Sequence, residues 1–67
     1  MSKSVGEDIL IELKRNRELL QMYIEIGPAG SFGAAMINQD IDNAEKALSE
    51  GNIIEILKSY EKLKNNE

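Results

Sequence analysis

The stretch Ile24–Ile37, IEIGPAGSFGAAMI, limits what this chain can fold into more than any other. It holds Gly27, Gly30 and Gly33, three of the five glycines, and Pro28, the one proline. On either side apolar residues recur at helical spacing, so helix must stop and restart here. Gly27 can take a left-handed C′ conformation without a Cβ penalty, and Pro28 cannot continue a helical ladder. Ala29 and Gly30 complete the turn. Ser31 is expected to N-cap the helix that follows.

The flanking patterns define an all-α chain. The first helix is expected from an N-cap at Ser4 to about Ile26. Glu7 completes a capping box and Asp8 adds favourable negative charge. Val5, Ile9, Leu13, Leu20, Tyr23 and Ile24 share one face, with Leu19 and Ile26 on its edge. Leu10, Ile11 and Met22 lie off that stripe, and Asn16 falls on it. The second helix is expected from Ser31 to about Ser49, with Ala34, Ile37, Ile41, Ala44 and Leu48 inward. Met36 and Ala47 fall outside its stripe and suggest a second contact surface. Gly51 reads as a C′ residue and Asn52 as the N-cap of a third helix, with Glu55 completing a box. Ile53, Ile56, Leu57, Tyr60 and Leu63 read as its inner face, with Lys58, Glu61 and Lys62 outward. The expected architecture is a long helix, a Gly/Pro-rich turn and an antiparallel helical hairpin, one domain over 1–67, with 1–4 and 64–67 frayed.

Size points to association. A 67-residue chain of this kind buries only about 60% of its unfolded surface. It has no cysteine and no histidine, so disulfides, thiolate or imidazole metal sites and Cys or His nucleophiles are excluded. Small folds without staples gain stability by oligomerising, and a homo-oligomer is expected. The net charge of −4 argues against DNA or RNA as a partner, because that binding neutralises many phosphates. No run approaches the roughly 18 apolar residues of a membrane span. The N-terminus has no signal-peptide pattern, so a soluble, cytoplasmic protein is expected.

Candidate chemistry gathers around the turn. A glycine-rich turn entering a helix can present free N–H groups to an anion. Gly30 would allow close approach and Ser31 could add its hydroxyl. The plainer reading is a turn whose glycines meet backbone demands. Tyr23 and Phe32 flank the turn and could stack on a base, or pack as a core edge and a hydrophobic staple. Lys14, Arg15 and Arg17 form a basic cluster. Lys14 reads as solvated, while Arg15 and Arg17 could reach a ligand phosphate. Asn38, on the loop side of the second helix, could read a base edge. Acids are dispersed with no nucleophile beside them, so no enzyme, cofactor or metal site is expected.

The motif Tyr-x-x-Ile-Gly-Pro-Ala-Gly-x-Phe spans Tyr23–Phe32. A small-residue helix start follows at Gly33–Ile37, then Glu50-Gly51-Asn52, then Ile-Leu-x-x-Tyr-x-x-Leu at Ile56–Leu63. In this order the chain resembles the small helical anti-CBASS proteins of phages, the cyclic-nucleotide sponges. The resemblance implies an all-helical, non-catalytic hexamer in the cytoplasm of an infected bacterium. It would hold cyclic di- and trinucleotides in pockets between protomers and starve the CBASS effector of its signal. On that pattern, N–H groups around Gly30–Phe32 would take a phosphate, Tyr23 or Phe32 would stack on a base, and Asn38 would contact its edge. The chain departs from the pattern in having no lysine between Tyr23 and Asp42. Positive charge would come from Lys14, Arg15, Arg17 or a neighbouring protomer. The rival expectation is an acidic helical adaptor or inhibitor with no nucleotide ligand, docking on a host protein through surplus apolar surface.

Overall fold

A computed structural model describes residues 4–67. Helix α1 spans Val5–Ile26, α2 spans Ser31–Glu50 and α3 spans Ile53–Asn65, with a 3-10 turn at Pro28–Gly30. No strand occurs among the described residues. The all-helical class and the three helices are as expected. Of the end expected to fray, 1–3 lie outside the described residues.

Local chemistry sets most of the helix ends. The Ser4 hydroxyl accepts from the Glu7 amide at 3.2 Å and faces the Glu7 carboxylate at 3.3 Å. After α2, Gly51 adopts φ 66°, ψ 25°. Its N–H donates to the Leu48 carbonyl, and the Asn52 N–H donates to the Ala47 carbonyl, each at 3.2 Å. This is a Schellman closure. The Asn52 side chain then accepts from the Glu55 amide at 3.2 Å and starts α3.

Each helix packs against both others. Tyr23 meets Gly33, and Asn66 joins Asn16 to Asp40, so α1 and α2 run antiparallel. Asn16 binds the Leu63 carbonyl and Tyr23 the Glu67 carbonyl, so α3 runs back alongside α1. The core is Ile9 and Leu13 of α1, Ile37, Ile41, Ala44 and Ala47 of α2, and Ile56 and Leu63 of α3. Val5, Leu20, Tyr23, Leu48 and Tyr60 pack around it.

The structure corrects the expected faces at several places. Ala47 is buried in the core rather than part of a second surface. Its small side chain admits α3 closely, and α3 presents the line Ile56, Ser59, Leu63. Ile53 and Leu57 consequently face outward. Ile24 is also exposed. It lies beyond Tyr23, which is already level with Glu67, past the end of α3. The 64–67 end is tied down rather than frayed: α3 continues to Asn65, Asn66 is bonded to Asn16 and Asp40, and Glu67 is bonded to Tyr23.

Candidate functional site

The turn that joins α1 to α2 is compact and largely self-satisfied. The Gly27 N–H donates to the Ile24 carbonyl at 3.0 Å, and the Gly30 N–H donates to the Gly27 carbonyl at 2.9 Å. The Ser31 N–H donates to the Pro28 carbonyl. Two amides of the expected anion cradle, those of Gly30 and Ser31, are thus engaged within the turn. Ser31 is not the N-cap. It has φ −64°, ψ −37° and is the first residue of α2, while Gly30 occupies the cap without a side-chain bond. The 3-10 turn runs straight into α2, so no extended residue remains where a serine oxygen could turn back on the helix. The Ser31 hydroxyl instead donates to the Pro28 carbonyl at 2.9 Å.

Gly30 and Gly33 are explained by Tyr23. A Cβ on Gly30 would overlap the Tyr23 carbonyl oxygen and would lie 3.2 Å from the Ile26 Cβ. A Cβ on Gly33 would lie 3.1 Å from the Tyr23 ring. The ring therefore rests on the bare backbone of α2, and its hydroxyl donates to the Glu67 carbonyl at 2.7 Å. Tyr23 braces three parts of the fold: the end of α1, the start of α2 and the chain beyond α3. Phe32 is the opposite case. It is 78% exposed and shares its face of α2 with Met36, one turn on and half exposed. Asn38 is exposed further along α2.

The arginines belong to a different region. Arg15 Nε pairs with Glu12 at 2.9 Å, and its guanidinium also donates to the Leu63 carbonyl at 2.7 Å. Arg17 pairs with Glu45 across the α1–α2 seam. Arg17 precedes Gly27 by about 15 Å of helix. The structure thus gathers Tyr23, Gly30 and Gly33 at one point with Phe32 beside them, and holds Arg15 and Arg17 away in helix-to-helix contacts.

Arg15 stands next to a polar knot. Asn16 is fully buried. Its amide donates to the Glu12 carbonyl at 2.8 Å and the Leu63 carbonyl at 3.0 Å, and its oxygen accepts from Asn66 at 2.9 Å. Asn66 also donates to Asp40 at 3.1 Å. Arg15 and Asn16 both donate to the Leu63 carbonyl, and Arg15 reaches the Lys64 carbonyl at 3.4 Å, two of the last carbonyls that a helix leaves open. The sequence trace of this knot was Asn16 on the apolar stripe. Its partners Asn66 and Asp40 carried no signal of their own.

An open cleft of about 350 Å³ lies between α2 and α3. Lys46, Lys58 and Lys62 line it, with Asp40, Glu50 and Glu55. Lys58 and Lys62 face outward as their spacing predicts, and the packing of α2 on α3 brings Lys46 beside them. Among the described residues, no three or more of His, Cys, Asp and Glu gather to hold a metal ion. No described helix is long and apolar enough to cross a membrane. Comparison with family models finds no match, and comparisons with curated proteins and with solved structures find none either.

Proposed function

We propose that this chain is a non-catalytic phage anti-defence protein. It binds and sequesters cyclic di- or trinucleotide second messengers, works as a homo-oligomer, and blocks CBASS signalling in the cytoplasm of the infected cell. The observation that carries the reading is Phe32. An aromatic ring 78% exposed directly after a braced turn is a stacking surface, and a base stacked on such a ring contributes about 1–3 kcal/mol. Tyr23, Gly30 and Gly33 hold that turn in shape. Asn38 offers an unburied amide for a base edge.

Assembly fits the same reading. Besides Phe32, nine large apolar side chains among the described residues are about half exposed or more, among them Ile11, Met22, Ile53 and Leu57. A fold this small gains by covering them with further copies. The resemblance implies six copies. Because Arg15 and Arg17 are already paired, a neighbouring protomer supplies the positive charge for the ligand.

Calorimetry with a panel of cyclic di- and trinucleotides, alongside solution mass by light scattering, tests the reading. The expected result is a hexamer with saturable heat, and loss of that heat but not of the mass in Phe32→Ala. Folded protein that gives no heat and no thermal stabilisation with any member of the panel overturns it. The second reading, an acidic helical adaptor, draws on the same exposed apolar residues. It predicts a monomer or dimer, no nucleotide response, and one stoichiometric protein retained from lysate.

A further inference from the structure

We infer that the face of α1 around Ile11 is a two-fold contact with a second copy of this chain, the two α1 helices lying antiparallel across Ile11. This contact is one of those that the homo-oligomer proposed above requires, and it rests on that reading. Nucleotide binding does not enter.

The place of Ile11 follows from Arg15. The Arg15 guanidinium reaches the Leu63 and Lys64 carbonyls, so its side of α1 is the flank turned toward α3. Ile11 stands one turn earlier on that flank. On α3 the cleft toward α2 takes Glu55, Lys58 and Lys62, which leaves Ile53 and Leu57 on the side toward α1. Ile11, Ile53 and Leu57 are 49%, 60% and 47% exposed. Two helices thus present apolar side chains along one seam.

The charges on α1 say what covers the seam. Residues seven apart lie on one edge of a helix, within about 20°. Glu7 and Lys14 stand seven apart on one edge beside Ile11, and Asp8 and Arg15 seven apart on the other. On both edges the acid precedes Ile11 and the base follows it. Lay a second α1 antiparallel with Ile11 on Ile11, and Glu7 of each copy falls beside Lys14 of the other, and Asp8 beside Arg15. Edge pairs of this kind set partner and orientation between paired helices. A parallel second copy would bring Glu7 to Glu7 and Lys14 to Lys14, where like charges repel. Among the described residues Glu7, Asp8 and Lys14 make no ion pair within the chain. A second copy carries the matching charges at the matching spacing because a two-fold contact joins one patch to itself.

The size also fits. A standard contact takes about 800 Å² per partner, roughly one-sixth of the 4745 Å² surface of this chain. A body of 38 × 25 × 16 Å offers that on a face made of two helices.

The test uses the absence of cysteine from the sequence. Ile11→Cys places one thiol per copy at the two-fold axis. Packed helices lie about 8–10 Å apart, which brings facing Cα atoms within the disulfide range of about 4.4–6.8 Å. Oxidation of dilute protein should give a covalent dimer with unchanged helical circular dichroism. Glu18→Cys is the register control. Its two thiols would stand about 21 Å apart along an antiparallel pair and side by side in a parallel one, so no dimer is expected from it. Glu7→Lys and Lys14→Glu should each weaken association about tenfold at low ionic strength, and the double variant should restore it, read as solution mass on dilution. The contact is overturned by a failure of Ile11→Cys to cross-link, by equal cross-linking of Glu18→Cys, or by a double variant no better than the single ones. If the wild-type protein is then a multimer by light scattering, the homo-oligomer stands and this face alone is wrong. A wild-type monomer overturns both. Nucleotide calorimetry reads the ligand separately.

Discussion

At Gly51 the chain leaves α2 with φ 66°, and at Gly27 it leaves α1 with φ 89°. A Cβ at either position would meet nothing within 4 Å, so both glycines answer to backbone torsion. The resemblance of the two junctions ends there. Past Gly51, Asn52 closes the previous helix through its N–H and opens the next through its side chain. Residues close in sequence solve that turn. Past Gly27 comes Gly30, at φ −94°, ψ 0°, a conformation open to any residue. Gly30 is required because the Tyr23 carbonyl stands where a Cβ would go. The first junction could be lifted out and keep its shape, whereas the second is shaped by the helix it sits under. That is also the one against which Phe32 is displayed, so its geometry bears directly on the proposed stacking surface.

The sharpest way to break this comparison is Gly30→Ala. The added carbon has no room against a backbone oxygen, so the turn and the last part of α1 must separate. The expected loss is about 3 kcal/mol or more, a large share of what a domain this size has to lose. Chemical denaturation monitored by helical circular dichroism, at fixed protein concentration, measures it. A loss below about 1 kcal/mol would mean that Gly30 sits in an ordinary turn. Gly27→Ala comes next. Its φ of 89° with ψ −148° lies near the region that essentially only glycine occupies, so the expected loss is about 2 kcal/mol. Because that site has open space, the loss should be conformational alone, and Gly27→Asn should behave much like Gly27→Ala.

These contrasts mark where the sequence was legible. The Ser4 N-cap, the stop at Gly51 and the start at Asn52 were readable because each partner lies within a few residues. Ile9, Leu13, Ile37, Ile41, Ala44, Ile56 and Leu63 were readable as core from helical spacing. The misplaced residues depend on how α3 is rotated about its axis. Ala47 and Ser59 enter where larger or more apolar neighbours looked better placed, and Ile53 and Leu57 leave. That rotation is held by Arg15 and Asn16, forty-seven or more positions away from the Leu63 carbonyl they bind, and no local period encodes such a contact. At the candidate site, Tyr23 and Gly30 were readable as neighbours of the turn. That Tyr23 acts as a brace was not, because its partners Gly33 and Glu67 are brought to it by α2 and α3.

Gly51→Ala tests the locally solved junction. Left-handed backbone disfavours an L side chain by about 1–2 kcal/mol, and nothing else crowds the position. The expected loss is about 1 kcal/mol, or a fall of roughly 4–8 °C in Tm for a domain of this size. It should add to the effect of Gly30→Ala, since the two turns share no partner. A double variant that loses clearly less or more than the sum would show that the junctions are coupled through α2.

The smallest effect discriminates between two descriptions of Ser31. As an N-cap, its replacement by alanine would cost about 1 kcal/mol, as Asn52→Ala should at the start of α3. In the structure the hydroxyl donates to the Pro28 carbonyl in an exposed bond, and Ser31 is itself the first residue of α2, with Gly30 at the cap. Such an exposed bond contributes at most about 0.5 kcal/mol, and alanine inside a helix recovers part of that through better propensity. Ser31→Ala should therefore be nearly neutral in the same denaturation experiment in which Asn52→Ala is not. Equal losses in the two variants would mean that both helices begin the same way, and that the turn under Tyr23 opens enough for Ser31 to cap.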